Sequence, residues 1–273
     1  MRIRECDGAP LSRRLNPESA HLASAEPMCT LILSLDPGAR WPVLLASTRD
    51  EFRSRAWQPP GKWWPAEYPG LIGGRDREAG GTWLAVNPGE GRIAVILNRI
   101  EPSGLSEREA RSRDELPLIA AAHGSEAIAA QDLQLVRPFN LALAESRQVS
   151  WWRYDGAELS RHEVPPGLHI LTAADLDDMS NPRQRYWLPE FEAAPAPAPR
   201  PEDRAPAGWG GWPDLLADVD RPYDDPRALN VRPGGAHGVF GTVSASLLAV
   251  SDKDVKYEFC PGPPNQPEWE RVL

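Results

Sequence analysis

The apolar pattern of this chain begins abruptly at Cys29. Residues 1–27 are polar and charged and follow neither the helical nor the strand period, which predicts a disordered N-terminal extension. Met28 is then an alternative start of the folded chain. Short apolar runs at residues 29–35 and 42–48 flank Asp36-Pro37-Gly38, whose composition is typical of a turn. These two runs predict a β-hairpin.

Further short apolar runs repeat this arrangement of strand and turn. They lie at residues 82–86, 92–98, 139–144, 149–154, 158–164, 168–172, 238–250 and 255–260. Asp155-Gly156 marks the clearest hairpin turn, while residues 87–91 and 251–254 have turn compositions that join two other pairs. Because strands are predicted at both ends of the sequence, we expect sheets that pack together.

Two stretches carry apolar residues at helical spacing. Residues 107–133 predict outer helices, divided into two pieces by Pro117 and Gly124, and a further helix is predicted at 182–192. Alternating Ala and Pro at 193–211 forbid regular ladders and predict an extended surface loop, an insertion within the domain. The order of elements favours one α+β domain over residues 28–273, with packed sheets and outer helices.

Composition narrows the class of protein. With 273 residues, 41% of them apolar, the chain is large enough for a sizeable core, and its net charge of -9 argues against a nucleic-acid partner. No apolar run is long enough for a membrane-spanning helix, and residues 1–27 lack the apolar stretch of a signal peptide. We therefore expect a cytoplasmic protein that takes a small-molecule substrate or ligand, in an oligomeric state that the sequence leaves open.

The cysteines and histidines follow no metal or disulfide pattern. Cys6, Cys29 and Cys260 cannot all pair within one chain, and their wide spacing fits neither a zinc site nor a disulfide framework. The histidines considered as ligands are isolated from one another: His123, His162, His169 and His237. We expect neither a metal nor another cofactor.

The strongest local signal is a series of short motifs in a fixed order. The segments are Met28-Cys29-Thr30-Leu31-Ile32-Leu33, Ala46-Ser47-Thr48-Arg49-Asp50-Glu51-Phe52, Leu71-Ile72-Gly73-Gly74-Arg75-Asp76 and Ala79-Gly80-Gly81-Thr82-Trp83. In this order, and with a strand ending at Asn98, the chain resembles the NRDE family, which includes transport and Golgi organisation protein 2. A weaker match continues through Phe139-Asn140-Leu141 to Phe240-Gly241-Thr242, so the resemblance spans most of residues 28–260.

Three positions depart from the family pattern. Thr48 stands where the Asn of the Asn-Arg-Asp-Glu tetrapeptide is found, a modest change. Ala173 stands where the family commonly has a Ser-Asn pair, and Val243 where an Arg is frequent. The last two departures are expected to remove polar groups from the pocket.

The resemblance implies the fold of N-terminal-nucleophile hydrolases, a four-layer αββα sandwich of two packed, mostly antiparallel sheets with outer helices. The pattern of Cys29, Arg49, Asp50 and Asn98 is similar to that of the choloylglycine hydrolase and penicillin V acylase branch. It implies catalytic roles for these four residues. Removal of Met28 would expose the α-amino group of Cys29, whose reference pKa of about 7.7–8.0 suits a general base.

Each of the other three residues has an implied role beside the Cys29 nucleophile. Arg49 would lower the pKa of the thiol or hold a substrate carboxylate, and Asp50 would orient the α-ammonium or the nucleophile. Asn98 would donate to the oxyanion that forms when the thiolate attacks an amide carbonyl.

Structural interpretations compete with these roles. Cys29 is alternatively an inert buried thiol, residues 49–51 a buried ion network, and Asn98 a turn residue that ends a strand. Gly73-Gly74 and Gly80-Gly81 are more typical of turns and close backbone approach than of a ligand cradle. The tryptophans are more typical of packing than of pocket walls: Trp63, Trp64, Trp151, Trp152, Trp209 and Trp212.

Two functional hypotheses follow from different classes. The first is an N-terminal-cysteine amidohydrolase acting on a small-molecule amide, which requires Cys29 to be the mature N-terminus. The second is a non-catalytic carrier or trafficking protein on the same scaffold, with a haem or lipid-like ligand. The departures at Ala173 and Val243 favour the carrier somewhat.

Overall fold

A computed structural model describes residues 29–102, 104–106, 109–222, 225–231, 240–252 and 254–273. The predicted extension at 1–27, Met28, Cys6 and His237 lie outside the described residues. Within the described ranges no helix is both long and apolar enough to cross a membrane.

Two antiparallel sheets form the centre of the protein. The strands are β1 Thr30–Leu35, β2 Val43–Phe52, β3 Trp57–Gly61, β4 Ile72–Asp76, β5 Leu84–Asn87, β6 Arg92–Asn98, β7 Phe139–Glu145, β8 Gln148–Tyr154, β9 Leu159–Glu163, β10 Gly167–Leu171, β11 Phe240–Val250, β12 Val255–Cys260 and β13 Glu270–Arg271. Sheet A has the order β10-β1-β2-β11-β12-β13, and sheet B has the order β3-β4-β5-β6-β7-β8-β9.

The predicted hairpins are confirmed, because the turn signals lie between strands that pair in the structure. Strands β1 and β2 pair from Thr30↔Thr48 to Leu35↔Val43 around the turn at 36–42. The pairs β5–β6, β7–β8, β8–β9 and β11–β12 follow the same rule. Residues 238 and 239 of the last predicted pair lie outside the described residues.

Alternation along the strands divides the apolar side chains between an inner and an outer core. In β1, Leu31 and Leu33 join residues of sheet B in the core between the sheets. Ile32 faces the opposite side of sheet A, where it packs in a separate cluster with Trp187. This alternation requires a cover on the outer face of each sheet.

Helices supply the cover on both sides. Helix α1 (Leu116–His123) packs against β5, β6 and β7 of sheet B and continues as α2 (Ser125–Ala129). Helix α3 (Pro182–Ala193) packs against β10 of sheet A and contacts α4 (Trp212–Ala217). The layers are therefore α, β, β and α, and the predicted fold class is confirmed.

The helical prediction at 107–133 was right about Gly124 and wrong about Pro117. Gly124, with φ of 78°, separates α1 from α2. Pro117 lies in the first turn of α1, where its missing N–H has no intrahelical partner to lose. The proline therefore begins the helix instead of dividing it.

The sequence predicted that the Pro- and Ala-rich loop is extended. In the structure the loop instead folds back on itself. Ala198 N–H donates to Gly208 O at 2.7 Å, and Gly211 N–H donates to Pro195 O at 3.1 Å. Trp209 is completely buried in the outer core of sheet A. Burial of this one large aromatic anchors the loop to the sheet. Of the other tryptophans predicted to pack, Trp63 is half-buried, and four are buried: Trp64, Trp151, Trp152 and Trp212.

An ion pair closes the free edge of sheet A. His169 on β10 contacts Asp177 Oδ2 through Nδ1 at 2.6 Å and Pro165 O through Nε2 at 2.9 Å. Asp177 Oδ1 also accepts the N–H of Ile170 at 2.8 Å, and its own N–H donates to Ile170 O at 3.0 Å. The hydrogen bond to Asp177 is the main reason that the pKa of His169 is raised. Two facing acceptors favour the imidazolium, which has a donor on each ring nitrogen.

Replacing His169 with Gln is expected to lower the thermal unfolding midpoint most at low pH. The folded pKa of His169 is raised above its unfolded value of about 6.5, so its stabilisation is complete below about pH 6.5 and is lost as the pH rises through the folded pKa. Unfolding of both proteins between about pH 5 and about pH 9 measures this. His162→Gln on exposed β9 is the control, and a His169→Gln effect that grows with pH would contradict the assignment.

Candidate active site

Cys29 immediately precedes β1, at the end of sheet A where β2 finishes. The residue is half-buried and packs against the core between the sheets. Its Sγ accepts the N–H of Asp50 at 3.4 Å and lies 3.8 Å from the Asp50 carbonyl oxygen. The β1–β2 register places the sulfur there, because Thr30 pairs with Thr48 and the next pair brings Cys29 beside the end of β2.

The thiol is held in its protonated form. Burial, together with the negative charge of Asp50, raises the pKa of Cys29 to about 12. The positive charge of Arg49 lowers this pKa, but by less than the charge of Asp50 raises it. Arg49 thus acts in the direction that the sequence predicted, but burial and Asp50 outweigh it. A reactive thiol at this position requires a base beside it.

Arg49 is buried between the sheets, with 5% of its side chain exposed. Its guanidinium stacks on Trp83 at 4.2 Å from the ring centroid, and Nη2 lies 3.4 Å from Asp76 Oδ2 and 3.5 Å from Glu51 Oε2. Nη1 is buried and hydrogen-bonds to none of the described residues. Arg49 therefore belongs to an ion network, and its Nη1 is a buried donor that is unused among the described residues.

Asp76, the last residue of the Gly-Gly-Arg-Asp motif, organises this network. Its Oδ2 accepts from Arg55 at 2.5 Å as well as facing Arg49, and its Oδ1 accepts the N–H groups of Glu78 and Ala79, each at 2.9 Å. These hydrogen bonds, led by Arg55, lower the pKa of Asp76 against the effect of burial. The carboxylate is therefore ionised and fixes Arg49 from sheet B.

The glycines of the same motif permit this arrangement. A Cβ at Gly74 would lie 2.2 Å from the ring of Trp83, the ring on which Arg49 stacks. The prediction that Gly73-Gly74 marks close approach is confirmed. The absence of a side chain at Gly74 therefore leaves space for the ring of Trp83, on which Arg49 stacks.

Asp50 lies on the opposite face of β2 from Arg49, and its carboxylate is buried. Oδ1 accepts the Thr242 hydroxyl at 2.6 Å, while Oδ2 lies 3.7 Å from Arg183 Nη1 and hydrogen-bonds to none of the described residues. Burial raises the pKa of Asp50 to about 6, with Arg183 the main opposing influence. Near neutral pH the group is mostly a carboxylate with one oxygen open to a further donor.

Val243, one of the predicted departures from the family pattern, occupies a β-bulge. The β11–β2 register shifts between Thr242 and Ser244, so that Thr242 pairs with Asp50 and Ser244 with Arg49. A bulge re-aims neighbouring side chains. Here the Thr242 hydroxyl points at Asp50, and Arg183 supplies the nearby cation.

Asn98 is exposed at the last position of β6 and pairs with Phe139. Among the described residues its side chain hydrogen-bonds to none of Cys29, Arg49 and Asp50. Asn98 lies at the same end of the sandwich as Cys29. Asn140, next to the partner of Asn98 on β7, hydrogen-bonds to the loop that follows β10, and β10 pairs with β1, whose first residue follows Cys29. The structure brings three of the four predicted residues together and leaves Asn98 at the rim.

Asn140 is an organising residue that sequence reasoning missed. Its Nδ2 donates to Thr172 O and Ala174 O, each at 2.8 Å, and its Oδ1 accepts from Arg99 at 2.7 Å and from Trp151 at 2.9 Å. This completely buried amide ties sheet B to the loop that contains Ala173, where the family has polar residues. The loop beside Cys29 is therefore held through its backbone.

Arg183 was also missed, because it comes from a helix far along the chain and no local pattern marks it. Asp76 and Thr242 were visible inside motifs, but their side-chain partners were not.

Two surface concavities lie away from Cys29. One is lined by residues 204–210, 213 and 214 and the other by residues 40, 41, 147, 251, 252 and 254. In the described ranges no group of three His, Cys, Asp or Glu side chains is arranged to hold a metal ion.

The fold is similar to a solved hydrolase. The Caenorhabditis elegans N-acylethanolamine-hydrolyzing acid amidase (NAAA) ortholog matches with a TM-score of 0.50 and 12% sequence identity, over 81% of this chain and 92% of that one. The chain thus shares an αββα fold with this hydrolase. The model of the family Transport and Golgi organisation 2 matches residues 28–194, and the chain belongs to this family. No curated protein matches the sequence.

Replacing Asn140 with Ala is expected to lower the free energy of unfolding by about 3 kcal/mol, because two buried donors and two carbonyls lose their partner. Urea unfolding measures this. Asn87→Ala is the matched control, since the Asn87 side chain donates one part-buried hydrogen bond to Ala121 O at 3.0 Å and accepts one exposed hydrogen bond from Glu90 N–H at 3.3 Å, and its loss should cost about 1 kcal/mol. Equal losses in the two variants would contradict the role of Asn140.

Proposed function

We propose that this protein is an N-terminal-cysteine amidohydrolase that acts on a small-molecule amide. The observation that carries the proposal is the position of Cys29. Its sulfur sits at the head of β1, in contact with Asp50 and beside the buried Arg49, in a sandwich of the hydrolase-like class. An inert core thiol does not need charged neighbours of this kind.

The proposed base is the α-amino group of Cys29 itself. In a chain that continues N-terminal to Cys29 this nitrogen is in a peptide bond, and because burial raises the pKa of the thiol far above neutral, the sulfur stays protonated at pH 7. Release of the preceding residues gives an amine with a reference pKa of about 7.7–8.0 on the same residue as the thiol. Processing before Cys29 is therefore part of the proposal.

The chemistry then needs two steps. In the first step the α-amino group of Cys29 takes the thiol proton and the sulfur attacks the amide carbonyl carbon. The C–N bond then breaks as the α-ammonium gives this proton to the leaving amine. Water, deprotonated by the α-amino group of Cys29, then attacks the thioester, and the C–S bond breaks as the sulfur takes the proton from the α-ammonium, which releases the acid and restores the thiol. Asp50 Oδ2 has an open acceptor position for an N–H of the amine and would orient it.

Two groups are proposed to bind the oxygen atoms of the substrate: Asn98, at the exposed end of β6, and Arg49, in the buried ion network. Asn98 keeps its proposed role as a donor, since its exposed side chain is available to a bound substrate. The unused Nη1 donor of Arg49 is the proposed partner of a substrate carboxylate or carbonyl oxygen. N-acyl amides are the class to test first, since the structural neighbour is described as hydrolysing N-acylethanolamines.

The expected result is turnover of an N-acyl amide panel only by chains that begin at Cys29. Released amine measures turnover, and N-terminal sequencing with intact mass identifies the first residue. Cys29→Ala should reduce kcat/KM by at least about a thousandfold, because it removes the nucleophile. Cys260→Ala is the matched control, since Cys260 is buried in the outer core of sheet A.

Two outcomes would contradict the proposal. One is equal turnover by a chain whose bond between residues 28 and 29 is intact. The other is turnover that survives Cys29→Ala. Binding of an acyl amide without turnover by correctly processed protein would favour a carrier instead.

A further inference from the structure

Arg183 reaches the Cys29 site from the outer layer of the protein. It lies in the first turn of α3, where the Asn181 side chain caps the helix by accepting the N–H of Arg183 at 3.0 Å. The residue is 5% exposed. Its Nη1 donates to Thr30 Oγ1 at 3.1 Å and lies 3.7 Å from Asp50 Oδ2. Both contacts are with immediate neighbours of the sulfur, one in sequence and one in space.

A buried guanidinium at this place needs its anion. Removing a charge from water costs several kcal/mol in free energy, which the opposite charge and hydrogen bonds must offset. Asp50 is the partner that first offsets the burial of Arg183, and the thiol of Cys29 also interacts with it electrostatically. The charged groups that act on Cys29 and on Arg183 are Arg49, Asp50, Glu51, Arg113 and Asp218.

The geometry leaves room for a third group between the two charges. At 3.7 Å the Arg183–Asp50 contact is an ion pair without a hydrogen bond, and Oδ2 keeps its acceptor position. A donor that approaches Oδ2 meets a carboxylate whose charge is already balanced by a cation. Such a site disfavours a second cation and favours a neutral donor.

We infer that Arg183 is a positioning residue for the Cys29 nucleophile, which balances the charge of Asp50 and holds the first residue of β1. It keeps Asp50 ionised without letting this carboxylate draw a proton onto the neighbouring amine. Its positive charge also favours the thiolate over the thiol. The inference about the amine rests on the proposed function, whereas its effect on the thiol does not.

Alkylation of Cys29 in the full chain tests the inference without turnover. The rate with iodoacetamide, measured at the Cys29 peptide by mass spectrometry from about pH 7 to about pH 10, follows the thiolate fraction. Arg183→Met should slow alkylation about three- to tenfold above about pH 9, because Asp50 is ionised there even without Arg183 and the thiolate loses a cation. Arg183→Lys should restore the rate to within about twofold. Arg185→Met, on the exposed face of α3, should leave it unchanged.

A purely structural role predicts the opposite sign. Loosening α3 would expose the sulfur and speed alkylation, so a faster or unchanged rate above about pH 9 in folded Arg183→Met overturns the inference. If Arg183→Met fails to fold, the double variant Asp50→Asn with Arg183→Met removes both charges, and it should react more slowly than Asp50→Asn alone. Equal rates in that comparison would also overturn it.

These outcomes stay separate from the proposed function. Absence of amide turnover with a slower Arg183→Met alkylation rejects the hydrolase and keeps the charge role of Arg183. Amide turnover together with an unchanged alkylation rate in Arg183→Met keeps the hydrolase and rejects the charge role of Arg183.

Discussion

The contact between the sulfur of Cys29 and the backbone of Asp50 is the interaction on which the site depends. It exists because β1 and β2 pair in one register, with Thr30 opposite Thr48, and this register carries the start of one strand to the end of the other. A slip of one residue would turn Arg49 and Asp50 to the opposite faces of sheet A. Leu31 and Leu33 in the core between the sheets, with Ile32 in the outer core, fix the register, so packing also positions the chemistry.

The two faces of β2 divide the charges of the site. Arg49 points between the sheets to Trp83 and Asp76, whereas Asp50 points outward to Thr242 and Arg183. Among the buried polar atoms that have no hydrogen-bond partner in the described residues, four lie on β2 and β11: Thr48 Oγ1, Arg49 Nη1, Asp50 Oδ2 and Ser244 Oγ. Such groups cost stability and are rare in folded proteins, and the proposed function gives Arg49 Nη1 and Asp50 Oδ2 a use as partners of the substrate and of the amine.

Local patterns predicted much of the fold, and long-range contacts explain what they missed. The hairpins were predictable because turn residues such as Asp155-Gly156 separate alternating runs. Strands β3 and β4 were not, since Pro59 and Pro60 interrupt the first and Gly73 and Gly74 weaken the second. Cys29, Arg49 and Asp50 were found through family motifs and lie near one another at one end of sheet A, while their catalytic roles stay predictions. Arg183 and Asn140 act through partners that only the folded chain brings near, and no motif marks those contacts.

The central claim is that the sulfur of Cys29 attacks an acyl carbon. Intact-mass spectrometry after brief incubation of the chain beginning at Cys29 with an activated N-acyl amide tests this most directly. The account predicts a mass increase equal to the acyl group, located on Cys29 as a thioester and removed by hydroxylamine. An unmodified Cys29, or an acyl group found only on another residue of a folded protein, would contradict it.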